Sequence, residues 1–265
     1  MKLILPILLF MLVNCTEPTA QDTQNSMSTK TVSKSSTNEY IKLSQDFLIS
    51  LKNGESGEVY VTKYGEIDLD HLVESLDSKA KKMSFWINTY NALVQYRLVP
   101  HPELFDDRDA FFNKPWVNIA GVLMSYDDIE HGIIRNSRVK LGLGIIKDPF
   151  VPKWERQLRN TEIDGRAHFT LNCGAKSCPY IAVLNDEGFD AQMNALSKDY
   201  LSQITEVDGS IVKTSPLFSW FRGDFGGKRG IKSFLMDLGV TTSTEVDLEF
   251  LGYDWTVETG NYTEI

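Results

Sequence analysis

The sequence predicts an α+β fold: a single mixed helix/strand domain with a small sheet. Two observations carry this. Stretches with apolar residues at helical spacing, 39–52 and 78–98 above all, are separated by short strand-like runs. These alternate without the regular strand–helix–strand spacing that a parallel sheet needs. Of the 265 residues, 38–265 suffice for one sizeable core. No repeat, heptad run or internal linker marks a second domain. The formal net charge of −9 argues against a nucleic-acid surface, so no nucleic-acid partner is expected.

The chain begins MKLILPILLFMLVNC. Residues 1–14 read as a lipoprotein signal peptide, with Lys2 ahead of an apolar run of roughly eleven residues. That run is too short to span a bilayer, which takes ~20. Leu12-Val13-Asn14-Cys15 resembles a bacterial lipobox, although Asn14 departs from the usual small residue. The resemblance implies cleavage before Cys15 and lipidation of its thiol and amine; the alternative is an ordinary signal peptide cut near Ala20-Gln21. Residues 15–37, rich in Ser, Thr, Gln and Asn, bury too little to offset their ordering entropy and read as a flexible tether. The expected location is the bacterial cell envelope, lipid-anchored at the outer membrane or a periplasmic face. The expected partners are the membrane, through the N-terminal lipid, and an unknown envelope ligand. No polybasic or amphipathic stretch offers a second membrane contact. With Cys15 lipidated, Cys173 and Cys178 are the remaining thiols, in an oxidising compartment. A disulfide between them would close a short loop and contribute about 2 kcal/mol.

Residues 39–52 place Tyr40, Leu43, Phe47, Leu48 and Leu51 at helical spacing, and Asn53-Gly54 makes a stop. A β-like run is expected around Val59-Tyr60-Val61, then a helix at 68–76. The segment 78–98 carries SFWINTYNALVQYRL and ends before Pro100 and Pro102. Within it Asn88 and Asn91 interrupt large apolar neighbours, where an unpartnered amide is costly. They either bridge to backbone groups or orient a polar group in a cleft. An aromatic loop with Phe111, Phe112 and Trp116 precedes a hairpin, 117–119 and 122–124, around Ala120-Gly121. Ser125 caps the helix SYDDIEHGIIRN, whose first turn is acidic. Asp127, His131 and Arg135 fall four apart on one face, so Asp127 can fix the His131 ring, or His131 and Arg135 can face an anion. A strand at 167–172 is expected to deliver His168 and Cys173. Beyond it come a helix at 188–204, a hairpin at 206–213, helical pieces at 216–222 and 228–238, and a strand at 245–253. Trp220 and Trp255 are candidates for core or cleft wall. His71 and His101 read as surface and loop residues. Gly226-Gly227-Lys228 lacks the phosphate-loop spacing and reads as a turn entering a helix, and no cofactor is expected.

FWINTYNALV at 85–94, DDIEHGIIR at 127–135, HFTLNCGAKSCP at 168–179, LFSWFRGDFGG at 217–227 and YDW at 253–255 together resemble the domain-of-unknown-function 547 family. The likeness runs over roughly 65–257 in the family's motif order. It implies placement more than chemistry: bacterial members are often exported or lipid-anchored. The polar positions it carries over are Asn88, Asn91, Glu130, His131, Arg135, His168, Asn172, Cys173 and Cys178, with Asp224 and Asp254 in the later motifs.

Three readings of the chemistry stand open. In the first, the domain is a thiol-dependent hydrolase or acyl transferase acting on an envelope peptide, glycan or lipid. Cys173 is the nucleophile, His131 the base, Asp127 or Glu130 its orienter, and Asn172 or Asn88 an oxyanion donor; His168 is the alternative base. Arg135, Asn88 and Asn91 would bind substrate. In the second, Cys173, Cys178, His131 and His168 supply four zinc ligands, though their spacing is not that of a zinc knuckle. In the third, a non-catalytic binding or scaffolding domain carries a Cys173–Cys178 disulfide, and its asparagines form a satisfied buried network.

Overall fold

The computed structural model describes residues 38–265. The expected signal peptide (1–14), lipidation site Cys15 and tether (15–37) lie outside the described residues. The fold is α+β, with helices around one central helix and two small sheets to its side.

Helix α1 (Glu39–Lys52) starts where the Asn38 side chain accepts from the Tyr40 and Ile41 amides. Residues 58–66 form α2 (Glu58–Glu66), not the expected strand. Its β-branched residues favour extended backbone, but tertiary packing wins: Tyr60 stacks on Phe47, and the buried Tyr64 hydroxyl meets Thr89 Oγ1 at 2.9 Å. A short α3 (Leu69–Ser75) is capped by Asp68. Helix α4 (Lys79–Leu98) is capped by Ser78 and buries every residue from Met83 to Val94. A helix buried on all sides sits in the middle of a core, and α1 packs along it.

The aromatic loop holds a 3-10 turn (Pro102–Asp107) and α5 (Arg108–Asn113). Strands β1 (Val117–Ile119) and β2 (Val122–Met124) form the expected hairpin, with Ala120 and Gly121 both at positive φ. The following segment is helical as expected, but Asp128–Ile134 is wound as a π-helix, with the Arg135 amide bonded to the Glu130 carbonyl. Ser125 caps it through Asp128. Helix α6 (Lys153–Leu158) comes next.

The strand expected at 167–172 is instead a 3-10 helix (Gly165–Phe169). Buried Asp164 initiates it by accepting from the Arg166 amide, and the Ala167 carbonyl gathers both the Thr170 amide and its hydroxyl. Burial pushes the Asp164 carboxyl up, but hydrogen bonds from Arg166 and Lys79 outweigh it and bring it down to about 2. Helix α7 (Phe189–Ile204) packs on this 3-10 turn. Strands β3 (Glu206–Asp208) and β4 (Ile211–Thr214) make the second hairpin. Helices α8 (Leu217–Trp220) and α9 (Gly227–Asp237) flank a 3-10 turn (Arg222–Phe225), and β5 (Asp247–Phe250) lies parallel to β4. Phe169, Phe218, Leu201 and Leu235 fill a second apolar cluster there. The final residues turn back along the cysteine loop: the Lys176 amide donates to the Thr256 carbonyl and the Glu258 amide to that of Gly174. Among the described residues no helix is long and apolar enough to cross a membrane.

Candidate active site

The asparagines of α4 hold the scaffold together. Asn88 accepts from the Leu184 amide and donates to the Leu184 carbonyl, at 2.9 and 3.0 Å. One turn on, Asn91 donates to the Thr170 carbonyl and accepts from the Asn172 amide, both at 2.8 Å. Asn172 in turn donates to the Pro179 carbonyl and accepts from the Gly174 amide. All three are fully buried. Each spends its amide on irregular backbone that has no ladder partner. The substrate-binding role expected for Asn88 and Asn91, and the oxyanion role expected for Asn172, are corrected accordingly.

Glu130, His131, His168 and Cys173 do converge. They line one cavity of about 350 Å³, together with Tyr90 from α4 and Asp127. Its walls are aromatic: Phe112, Phe221, Tyr253, and Trp220 stacked on Trp255 at 5.7 Å. The two tryptophans are therefore cleft wall, each about a third exposed.

Asp224 organises the floor. Its side chain is wholly buried, yet it bridges Arg135 Nε and His168 Nε2, both at 2.7 Å from Oδ2. Burial pushes its carboxyl up, but the hydrogen bonds from His168 and Arg135 hold it below the ordinary range, so it is a carboxylate. Phe221 closes the network, its ring 3.9 Å from the His168 ring and 4.4 Å from the Arg135 guanidinium. Arg135 is 1% exposed and committed to Asp224 and His131. It is a positioning residue, which corrects its expected contact with substrate.

The tautomers follow from this wiring. Arginine can only donate, and Arg135 Nη1 lies 2.8 Å from His131 Nδ1. His131 Nδ1 is therefore a lone pair and Nε2 carries the hydrogen, pointing toward Asp127 Oδ1 at 3.6 Å. Burial and the Arg135 charge push the His131 pKa down to about 3. A neutral ring with its acceptor already used cannot take a proton from Cys173, so the expected base role of His131 is overturned; it is a hydrogen-bond donor. His168 is wired the other way: Nε2–H donates to the Asp224 carboxylate, leaving Nδ1 as its basic nitrogen. Burial lowers its pKa, with the Asp224 bond opposing. Glu130 accepts from the Tyr90 hydroxyl at 3.2 Å, and Asp127 pairs with Lys140 at 2.8 Å.

The two cysteines face each other. Their sulfurs are 2.6 Å apart, and both are free thiols in this structure. The turn between them needs Gly174, at φ 91°, where a Cβ would run into Leu98. The Cys173 amide and the Tyr253 hydroxyl both point at Cys178 Sγ, at 3.0 and 3.2 Å. Burial opposes charge on Cys178, but these donors and the Cys173 thiol outweigh it and lower its pKa. Cys173, beside that sulfur and buried, has its pKa raised. Among the described residues no hydrogen bond joins either imidazole to a sulfur, and no three His, Cys, Asp or Glu side chains are arranged to hold a metal. The four-ligand zinc set is not assembled.

Sequence reasoning left Asp224 and Tyr253 without a role. Both carry a signal, Asp224 inside LFSWFRGDFGG and Tyr253 inside YDW, but their partners lie tens of residues away. An α+β domain with an aromatic cavity, a buried Arg–Asp–His floor and a dithiol at its wall is thus defined. Residues 73–201 match the model described as a protein of unknown function, DUF547, and over that span the chain is similar to that family. The matched span includes both histidines and both cysteines, whereas Asp224, Tyr253 and the two tryptophans come from beyond it. No curated protein and no solved structure matches the chain.

Proposed function

We propose that the domain is a thiol-dependent hydrolase or acyl transferase of the bacterial envelope, anchored through Cys15, with Cys173 as nucleophile and the Asp224-held His168 as base. The observation that carries this reading is the buried Asp224 carboxylate fixing His168 in the cavity that Cys173 also lines. Cys173 is a neutral thiol at rest, so its deprotonation must accompany attack, which is the task of an oriented imidazole. The sulfur attacks a carbonyl carbon while His168 Nδ1 takes the thiol proton. The oxyanion accepts from His131 Nε2–H, a neutral imidazole donor held by Arg135. Collapse expels the leaving group, which takes the proton back from His168, and water or an acceptor hydroxyl then cleaves the thioester. The aromatic walls suit an acyl chain or a sugar face.

Intact mass after incubation of the reduced chain with p-nitrophenyl esters tests this. An acyl adduct on Cys173, lost in Cys173→Ser and slowed ~100-fold or more in His168→Ala, is expected. Ester turnover without an adduct, or none at all, overturns it.

The 2.6 Å approach of the sulfurs favours a second reading, a binding domain whose Cys173 and Cys178 are oxidised to a disulfide in the envelope. In that case the cavity holds its ligand without chemistry.

A further inference from the structure

Residues 138–153 read RVKLGLGIIKDPFVPK, with four basic residues and one acidic, in a chain that is acidic overall. The segment is a tight loop. Arg138 bridges to Lys147, the Val139 amide bonds to the Ile146 carbonyl, and turns at 139–142 and 142–145 close the tip. Leu143 sits at φ 52°, a left-handed conformation that strains any residue with a Cβ. The underside is fixed to the site: the Gly223 amide donates to the Leu143 carbonyl at 2.7 Å, and a Cβ on Gly144 would overlap the Asp224 carboxylate. With the backbone committed there, the apolar side chains point outward. Leu141 is 90% exposed, Phe150 92%, Ile145 66% and Ile146 57%. Scattered exposed apolar residues are ordinary, but three on one constrained turn with Phe150 just past its closing bridge are not.

We propose that this loop inserts its apolar tip into the headgroup boundary of an anionic bilayer, where lipid phosphates take over Arg138, Lys140 and Lys147 from their present partners, the Ile145 carbonyl, Asp127 and Asn136. Charge complementarity selects the bilayer: an exposed apolar tip with cations beside it in the chain fits a fluid anionic interface. Lys140 and Leu141 also line the cavity, so insertion sets that cavity at the membrane surface. This contact is separate from the expected N-terminal lipid and independent of the thiol chemistry. It was invisible in the sequence, where the segment has no amphipathic period.

The test uses the chain from Thr16 onward, which lacks the leader and Cys15, in co-sedimentation with vesicles of phosphatidylethanolamine and phosphatidylglycerol. Salt-sensitive binding is expected, lowered at least ~tenfold by Leu141→Asp with Phe150→Asp. Both positions are exposed, and circular dichroism should show an unchanged fold. Equal partitioning of wild type and variant overturns the proposal. So does a wild-type dimer in vesicle-free solution that the variant abolishes, which would make the loop a contact between copies.

Discussion

Two buried polar networks, one along α4 and one at the cavity, differ in what they leave unspent. Along α4, Asn88 and Asn91 each give donor and acceptor to the backbone, so nothing remains for a ligand. At the cavity, Arg135 and Asp224 are equally buried, but their hydrogen bonds end in two imidazoles that line open space. Burial alone therefore does not mark function. A polar network becomes a site where its last member has valence left over.

The largest effect expected from breaking this contrast is at Asp224. Asp224→Leu strands a buried guanidinium and should cost about 3–5 kcal/mol in denaturant unfolding. Asp224→Asn should retain more stability while His168-dependent acylation still fails. On the spent side, Asn88→Ala or Asn91→Ala leaves buried backbone groups unpaired, about 1–3 kcal/mol. Acylation per folded molecule should be preserved, and a loss there would erase the distinction between the regions.

Acid sharpens it further. His131 titrates at about 3 in the fold against 6.5 when unperturbed. Between those values the unfolded chain binds more protons, so stability falls on acidification through that window by about 1 kcal/mol per pH unit. Asp224, with its pKa depressed, adds a further loss as pH drops through its folded value. His131→Gln should reduce the slope, whereas Asn88→Ala should keep it, measured as melting temperature against pH. The smallest effect is at Tyr253→Phe, which removes a hydroxyl near both sulfurs; it should cost about 1 kcal/mol or less and make Cys178 less acidic.

Much of the scaffold was legible because its signals are local. The period of 39–52, the length of 78–98 and the Ala120-Gly121 turn each specify their element within a few residues. The failures share a cause. Helix α2 depends on Phe47 and Thr89, the 3-10 helix depends on a buried Asp164, and the tautomer of His131 depends on an arginine whose own partner lies 89 residues away. The sequence placed Glu130, His131, His168 and Cys173 as chemistry, and they share a cavity. It assigned the base to His131, and the wiring that disqualifies that ring, Arg135 on its Nδ1 with Asp224 behind the arginine, joins residues 89 apart.

The most direct measurement is the alkylation of the full chain isolated under non-reducing conditions, followed by mass spectrometry with and without reductant. The account predicts that, once reduced, Cys173 at the cavity wall is alkylated at neutral pH at a rate that falls in His168→Ala and in Asp224→Asn. A pair that stays disulfide-linked until denatured, with Cys173→Ser losing stability alone, would contradict it and leave the cavity as a binding site.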